Sequence, residues 1–373
     1  MPCQESCQKD KVLNLASKGR AMVLQEALRK SEGCIFCCNK NKDTLLILAS
    51  KHGHQNVVQI LLDHFGCDYI EFFNKTGKRA LHEAAQNNHP EIAEFLISKG
   101  ASVDALKQGD WTPLMLAAEK QNLEIVELLV KYGADVTLTN KDGWNAFHIA
   151  ARSGKVEVLE YLYSLDSELI ETVSKNGRTP LHSAALNNCP EATSWLLQRG
   201  MSPNVADSSG LTPLMDGARM GHEKVCEILL SHGADVLQLD NLRRTTLHHV
   251  TQAGQLTMIH WCLNKAELAL SKCGQSKDRV QRKDTKRADK KSSLRKPRSA
   301  DETGTNNIKG NDKHYVNWKS EQGSTALHYA AKECRHQEIK LLLQAGADKN
   351  IADNFGRLPV AMTTHPDVQF LLQ

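Results

Sequence analysis

The sequence predicts an all-α solenoid of about ten helix-turn-helix units with β-hairpin fingers and one long disordered insertion. Three observations carry this. A seven-residue stretch, cleanest at Thr179-Pro180-Leu181-His182-Ser183-Ala184-Ala185, recurs with its first residue at Lys11, Thr44, Arg79, Thr112, Asn145, Thr179, Thr212, Thr245, Thr325 and Leu358. The steps between starts are 33, 35, 33, 33, 34, 33, 33, 80 and 33 residues, so the period is nearly constant and extra chain enters at one place only. A period of this length marks units that cannot bury their apolar faces alone and stack on their neighbours to do so.

Each position in the stretch has a local reason. The leading Thr hydroxyl can cap the first helix, and Pro suits its first turn. Leu and the paired Ala face the stack, where small Ala lets helices approach closely. Second helices such as Ile125-Val126-Glu127-Leu128-Leu129-Val130 carry the bulky apolar face. Gly100, Gly133, Gly200, Gly233 and Gly346 follow those helices, where a left-handed residue ends the turn. With these residues in place, the Thr-Pro-Leu-His-x-Ala pattern resembles the ankyrin repeat, each unit of which is a finger plus two antiparallel helices.

In chain order, residues 1–10 read as a flexible N-terminal tail and 11–265 as repeats one to eight, the first an atypical cap because one of its faces meets water. Residues 266–320 read as the basic insertion and 321–373 as repeats nine and ten, closing in a C-terminal cap. Between 271 and 319 there are 15 Lys and Arg against 6 Asp and Glu, a local charge of +9 in a chain of +4. With few large apolar residues before Tyr315 and Trp318, this segment is expected to be disordered. Its basic core holds Lys283, Lys286, Arg287, Lys290 and Lys291. Three roles stand open for it: a solubilising linker, a nuclear localisation signal, or an RNA tether. Direct nucleic-acid binding is expected nowhere else.

A chain of 373 residues with 40% hydrophobic content could form one or two ordinary globules, but the repeats predict one elongated, monomeric domain. No apolar run is long enough to span a bilayer, and the polar start lacks a signal-peptide core, so a soluble cytoplasmic protein is expected, nuclear as well if the insertion serves import. The 11 cysteines are scattered without a paired framework, which points to reduced thiols. Cys34, Cys37 and Cys38 have C-x-x-C spacing but no second pair to complete a zinc tetrahedron, so neither metal nor cofactor is expected.

Catalysis is not expected either. His82, His148, His182, His248 and His328 all hold the fourth position of the stretch, where an imidazole ties one finger to the next. No metalloprotease, Walker, dinucleotide or nucleophile-elbow motif occurs. The informative positions are those that vary between units, at the finger tips and on the exposed side of the first helices. One residue before the unit starts stand Lys78, Trp111, Trp144 and Arg178. Stacked units lie about 10 Å apart, so the two indoles should be neighbours between two cations, with Glu119, Lys120 and Arg152 on the helices beneath. Trp and Arg are the usual anchors of interfaces, and these seven residues form the predicted partner-binding face; alternatively each indole only covers its own finger. Lys75, Lys141 and Lys175 stand four before their unit starts and Lys107 five before, forming a stripe of tip lysines.

A closer likeness rests on Arg79-Ala80-Leu81-His82-Glu83-Ala84-Ala85, Asp110-Trp111-Thr112-Pro113-Leu114-Met115, Asn140-Lys141-Asp142-Gly143-Trp144-Asn145-Ala146-Phe147-His148-Ile149-Ala150 and Ala326-Leu327-His328-Tyr329-Ala330-Ala331-Lys332. These resemble the ankyrin repeat domain-containing protein 16 family. The resemblance implies a non-enzymatic cofactor that binds the catalytic domain of alanyl-tRNA synthetase and accepts misactivated serine on its own lysines, sparing the tRNA. The acceptor of the Asn-Lys-Asp-Gly-Trp finger falls on Lys141. The other two acceptor positions fall on Gln108, beside Lys107, and on Glu171, shortly before Lys175. The runner-up is a general protein-binding adaptor without acceptor chemistry.

Overall fold

The computed structural model describes residues 2–30, 37–284 and 314–373, with side chains described for 9–30, 37–272 and 314–373. It is helical and built from repeats, as the period requires. The chain divides into two compact units, Met1–Ser208 and Ser209–Gln373, where a single elongated domain was expected. An array with only nearest-neighbour contacts can be divided at one inter-repeat step. Each unit is described by itself below.

The marked residues start helices as their chemistry demands. In the first unit Thr44 Oγ1 accepts from Ile47 N at 3.2 Å and Thr112 Oγ1 from Met115 N at 3.2 Å, opening helices Leu45–Lys51 and Pro113–Lys120. Ala80–Gln86, Ala146–Ser153 and Pro180–Leu186 are their counterparts, paired with second helices Gln55–Phe65, Pro90–Ser98, Leu123–Lys131, Val156–Leu165 and Pro190–Gln198. The small Ala faces and the Leu, Ile and Val ridges of these helices are buried together around Tyr69 and Phe147. In the second unit Pro213–Arg219, Thr246–Ala253 and Ala326–Lys332 are first helices, and Glu223–Ser231, Leu256–Asp284 and His336–Gln344 second ones.

The fingers are turns, not the β-hairpins expected. Among the described residues there are no strands, only isolated bridges at Cys38–Thr44 and Lys107–Trp111. The cause is the length of the loop. Asn140 N donates to Trp144 O at 2.9 Å, closing five residues, and Asn140 Oδ1 accepts from Asp142 N and Trp144 N at 2.9 Å each, so a side chain takes the place of the next ladder pair. Each finger then gives one backbone bond to its predecessor: Gln108 N to Thr76 O, Lys141 N to Gly109 O, Lys175 N to Asp142 O.

Side chains add two further ties between neighbours. Arg79 N donates to His82 Nδ1, which leaves Nε2–H to reach the next finger at Trp111 O, 3.3 Å away. His248 reaches Ser324 O and His328 reaches Arg357 O in the same way, while His148 Nε2 lies 3.2 Å from Arg178 O with its Nδ1 2.8 Å from Asn145 Oδ1. Burial pushes the pKa of His82, His148 and His248 down to about 4, so all three are neutral at pH 7. The second tie runs backwards from the turn between the helices: His54 to Ser17 O, His89 to Lys51 O, Asn122 to Ala85 O and Cys189 to Arg152 O.

Three expectations are corrected. Residues 1–10, read as a tail, lie largely within helix Pro2–Ser17. The segment 266–320, read as wholly disordered, begins inside helix Leu256–Asp284 and ends in the ninth finger, where Tyr315 and Val316 are buried. Tyr315 Oη lies 3.3 Å from Leu247 N and 3.4 Å from Val236 O. Low apolar content tells against burial but not against helix, and Lys, Arg, Glu, Gln and Ala are all good helix formers. The final unit keeps its finger but reduces its first helix to a short 3-10 turn, Pro359–Met362, before Pro366–Leu372.

Candidate functional site

The tryptophan fingers lie in the first compact unit. Lys107 N donates to Trp111 O at 3.0 Å, and this closure returns the lysine side chain over its own finger, its Nζ 4.9 Å from the Trp111 ring centroid. In the next unit Arg152, in the last turn of helix Ala146–Ser153, lies over Trp144 at 5.6 Å. Each half-buried indole therefore carries its own cation. Among the described residues no ring contact joins Trp111 to Trp144; the cations, rather than stacking, define the face.

The Lys107 amine is altered by its surroundings. Burial, and then the charge of Lys78, lower its pKa from the usual lysine value, while Glu119 opposes the shift. The structure thus gathers Lys78, Lys107, Trp111 and Glu119 into one electrostatic neighbourhood. Ser153 Oγ donates to Glu119 O at 3.0 Å and Gln121 Nε2 to Ser153 O, fixing the two first helices beneath the indoles against each other. Lys120 and Arg152 are exposed beside them.

The outer cations are held by carboxylates that the sequence reading missed. Lys78 Nζ lies 2.9 Å from Glu83 Oε1 and also meets Gln86, while Arg178 Nη1 lies 3.0 Å from buried Asp207 Oδ2. Glu83 follows its unit start by four residues and Asp207 precedes its own by five, so the repeat register itself carried the signal. Lys141 and Lys175 are exposed at successive tips and joined through the backbone bonds already described. They stand apart from the indole–cation pairs.

Lys283 lies within helix Leu256–Asp284 but its side chain is outside the described residues, as are Lys286, Arg287, Lys290 and Lys291 altogether. Cys34 is outside them too; Cys37 and Cys38 are half-buried and form no disulfide. No described helix is long and apolar enough to cross a membrane.

A rigid face of indoles, guanidinium and ammonium groups, framed by carboxylates, suits recognition of a protein surface by cation–π, charge-assisted and apolar contacts together. Comparison with known proteins agrees with this class. A model for ankyrin repeats in three copies matches residues 13–107, 101–172 and 165–240, and a single ankyrin-repeat model matches 322–354. An Arabidopsis thaliana protein described as "Putative E3 ubiquitin-protein ligase XBAT31" is 32% identical over 182 residues, 48% of this chain and 32% of the relative. The chain spans about a third of the length of that relative.

Proposed function

This chain belongs to the ankyrin-repeat family, whose arrays are protein–protein interaction scaffolds, and from that premise we propose that its partner is the catalytic domain of alanyl-tRNA synthetase, docked on the Trp111–Trp144 face. The observation that carries the docking face is the pairing of each half-buried indole with a cation, Lys107 on Trp111 and Arg152 on Trp144. The identity of the partner rests on the likeness of the Trp144 finger to the ankyrin repeat domain-containing protein 16 family.

In this reading the tip lysines accept serine that the synthetase has activated in error. A seryl-adenylate is a mixed anhydride, so a lysine amine, once its ammonium has lost a proton to solvent, attacks the carbonyl carbon; the C–O bond to AMP breaks, an amide forms, and the second proton leaves the nitrogen with AMP or to solvent. On the order of one exposed lysine in a thousand is neutral at pH 7; docking supplies the rest as effective concentration. Lys107, with its lowered pKa, offers a larger neutral fraction than an ordinary lysine, and Lys141 and Lys175 extend the acceptor set along the tips.

The test combines purified synthetase catalytic domain, ATP, serine and the full chain, with mass spectrometry of the chain. Serine adducts on Lys107, Lys141 and Lys175, but not on the lysines of the basic segment, are expected. Trp111→Ala with Trp144→Ala should weaken docking by about 2 kcal/mol or more and remove the adducts. Undiminished docking by the double variant overturns the face; docking without adducts leaves a binding adaptor. The basic segment is proposed as an import signal: Lys286, Arg287, Lys290 and Lys291 changed together to Ala should shift a fluorescent fusion out of the nucleus, and an unchanged distribution removes that role.

A further inference from the structure

The C-terminal cap brings together three metal-ligating side chains that the interaction function does not use. His336 opens helix His336–Gln344, His365 immediately precedes helix Pro366–Leu372, and Asp367 lies in the first turn of that helix. Each offers a ligand atom, and the three atoms lie within 4.8 Å of one another. The imidazoles meet edge to face with centroids 5.2 Å apart. None of the three side chains has a hydrogen bond or ion pair among the described residues, and His336 Nε2 is buried without a partner.

A buried imidazole nitrogen without a partner costs free energy unless something outside the protein satisfies it. We propose that His336, His365 and Asp367 form a site for a divalent first-row transition cation of the zinc class, joining the last two repeats. Two imidazoles and one carboxylate suit such a cation, whereas calcium and magnesium prefer all-oxygen shells. Bond lengths of about 2.0–2.2 Å place tetrahedral ligands about 3.4 Å apart, so binding requires the three ligand atoms, now within 4.8 Å of one another, to draw closer. The fourth position is left for water. Asp367 supplies the negative charge of the set, and neighbouring Arg335 lays its guanidinium against Gly254 of the preceding repeat. The core of the cap is small, its final unit burying Asp353, Pro359, Thr363, Val368 and Leu372. A metal staple is a common remedy for a small core.

The full chain, stripped of metal by chelator, is titrated with Zn²⁺ by calorimetry and with Co²⁺ by visible absorbance. One equivalent of zinc is expected, with affinity lowered by about tenfold or more in His336→Ala and in His365→Ala, and Co²⁺ should show the intense d–d bands of a low-coordinate site. Zinc should also block diethyl pyrocarbonate labelling of the wild-type chain at His336 and His365 while leaving exposed His64 reactive, a reading that holds even if a variant fails to fold. Absence of zinc binding, equal stoichiometry and affinity in both variants, or unchanged labelling at His336 and His365 overturns the site.

Discussion

The unit that starts at Asn145 and the one that starts at Leu358 share a finger geometry and little else. Asn140 closes the first finger onto Trp144, and Asp353 closes the second onto Arg357, each through a 2.9 Å backbone bond and two side-chain bonds. Beyond the finger they diverge. Helix Ala146–Ser153 buries six consecutive residues between helices Pro113–Lys120 and Pro180–Leu186. The turn Pro359–Met362 buries Pro359 alone, and Phe355 and Phe370 of the same cap are 71% and 79% exposed. A repeat's sequence therefore specifies its turn, but a neighbour on each side supplies its helix.

The largest break in that comparison is a cavity. Phe147→Ala, at a fully buried side chain, should cost about 3–5 kcal/mol, while Leu372→Ala in the cap should cost about 2 kcal/mol, because the free edge can relax into the space. Denaturant melts of the two variants check the ranking; equal losses would mean that the cap is packed as tightly as the interior.

Acid should come next. His82 and His148 in the first compact unit and His248 in the second have folded pKa values of about 4 against about 6.5 when unfolded. The unfolded chain therefore binds more protons in that interval, so their stabilisation is complete above pH 6.5 and falls away as the pH drops towards 4, by on the order of 3 kcal/mol for each histidine. His328 has only a lowered pKa and lies beside the cap. His148→Gln should flatten the stability–pH curve between pH 6.5 and 4 more than His328→Gln does, as read from melts at a series of pH values.

The smallest effect separates the two fingers themselves. Gly143 and Gly356 both have positive φ, 80° and 74°, so Ala at either should cost about 1–2 kcal/mol in backbone strain. A Cβ at Gly143 would also lie 2.7 Å from Lys175 N of the next finger, whereas one at Gly356 meets nothing within 4 Å. Gly143→Ala should be the more destabilising; parity would show that the finger-to-finger contact contributes nothing.

Much of this architecture was legible because each repeat start is a chemical event. Thr44, Thr112, Thr212 and Thr245 cap helices through their hydroxyls, and fourth-position histidines reach the next finger as their register requires. What the sequence concealed depends on lateral contact. Helix Leu256–Asp284 runs past its repeat because charge says nothing against helix formation once burial is not required. Lys107 could be placed near a fingertip from its number, yet its seat on Trp111 and its lowered pKa follow from the curl of one turn and the proximity of Lys78. His336, His365 and Asp367 escaped notice because they belong to different repeats at different offsets, so no period aligns them.

The histidine ties also give the chain a direction in time. Each imidazole waits for a carbonyl made later: 29 residues on for His82, 30 for His148, 29 for His328, but 76 for His248. At about 5–20 residues per second on a ribosome, His248 stands without its partner for about 4–15 s, and closing its longer loop costs about 0.8 kcal/mol more than closing one of thirty. A nascent chain should accordingly pause, folded through its eighth repeat with one buried histidine exposed, until Ser324 has emerged.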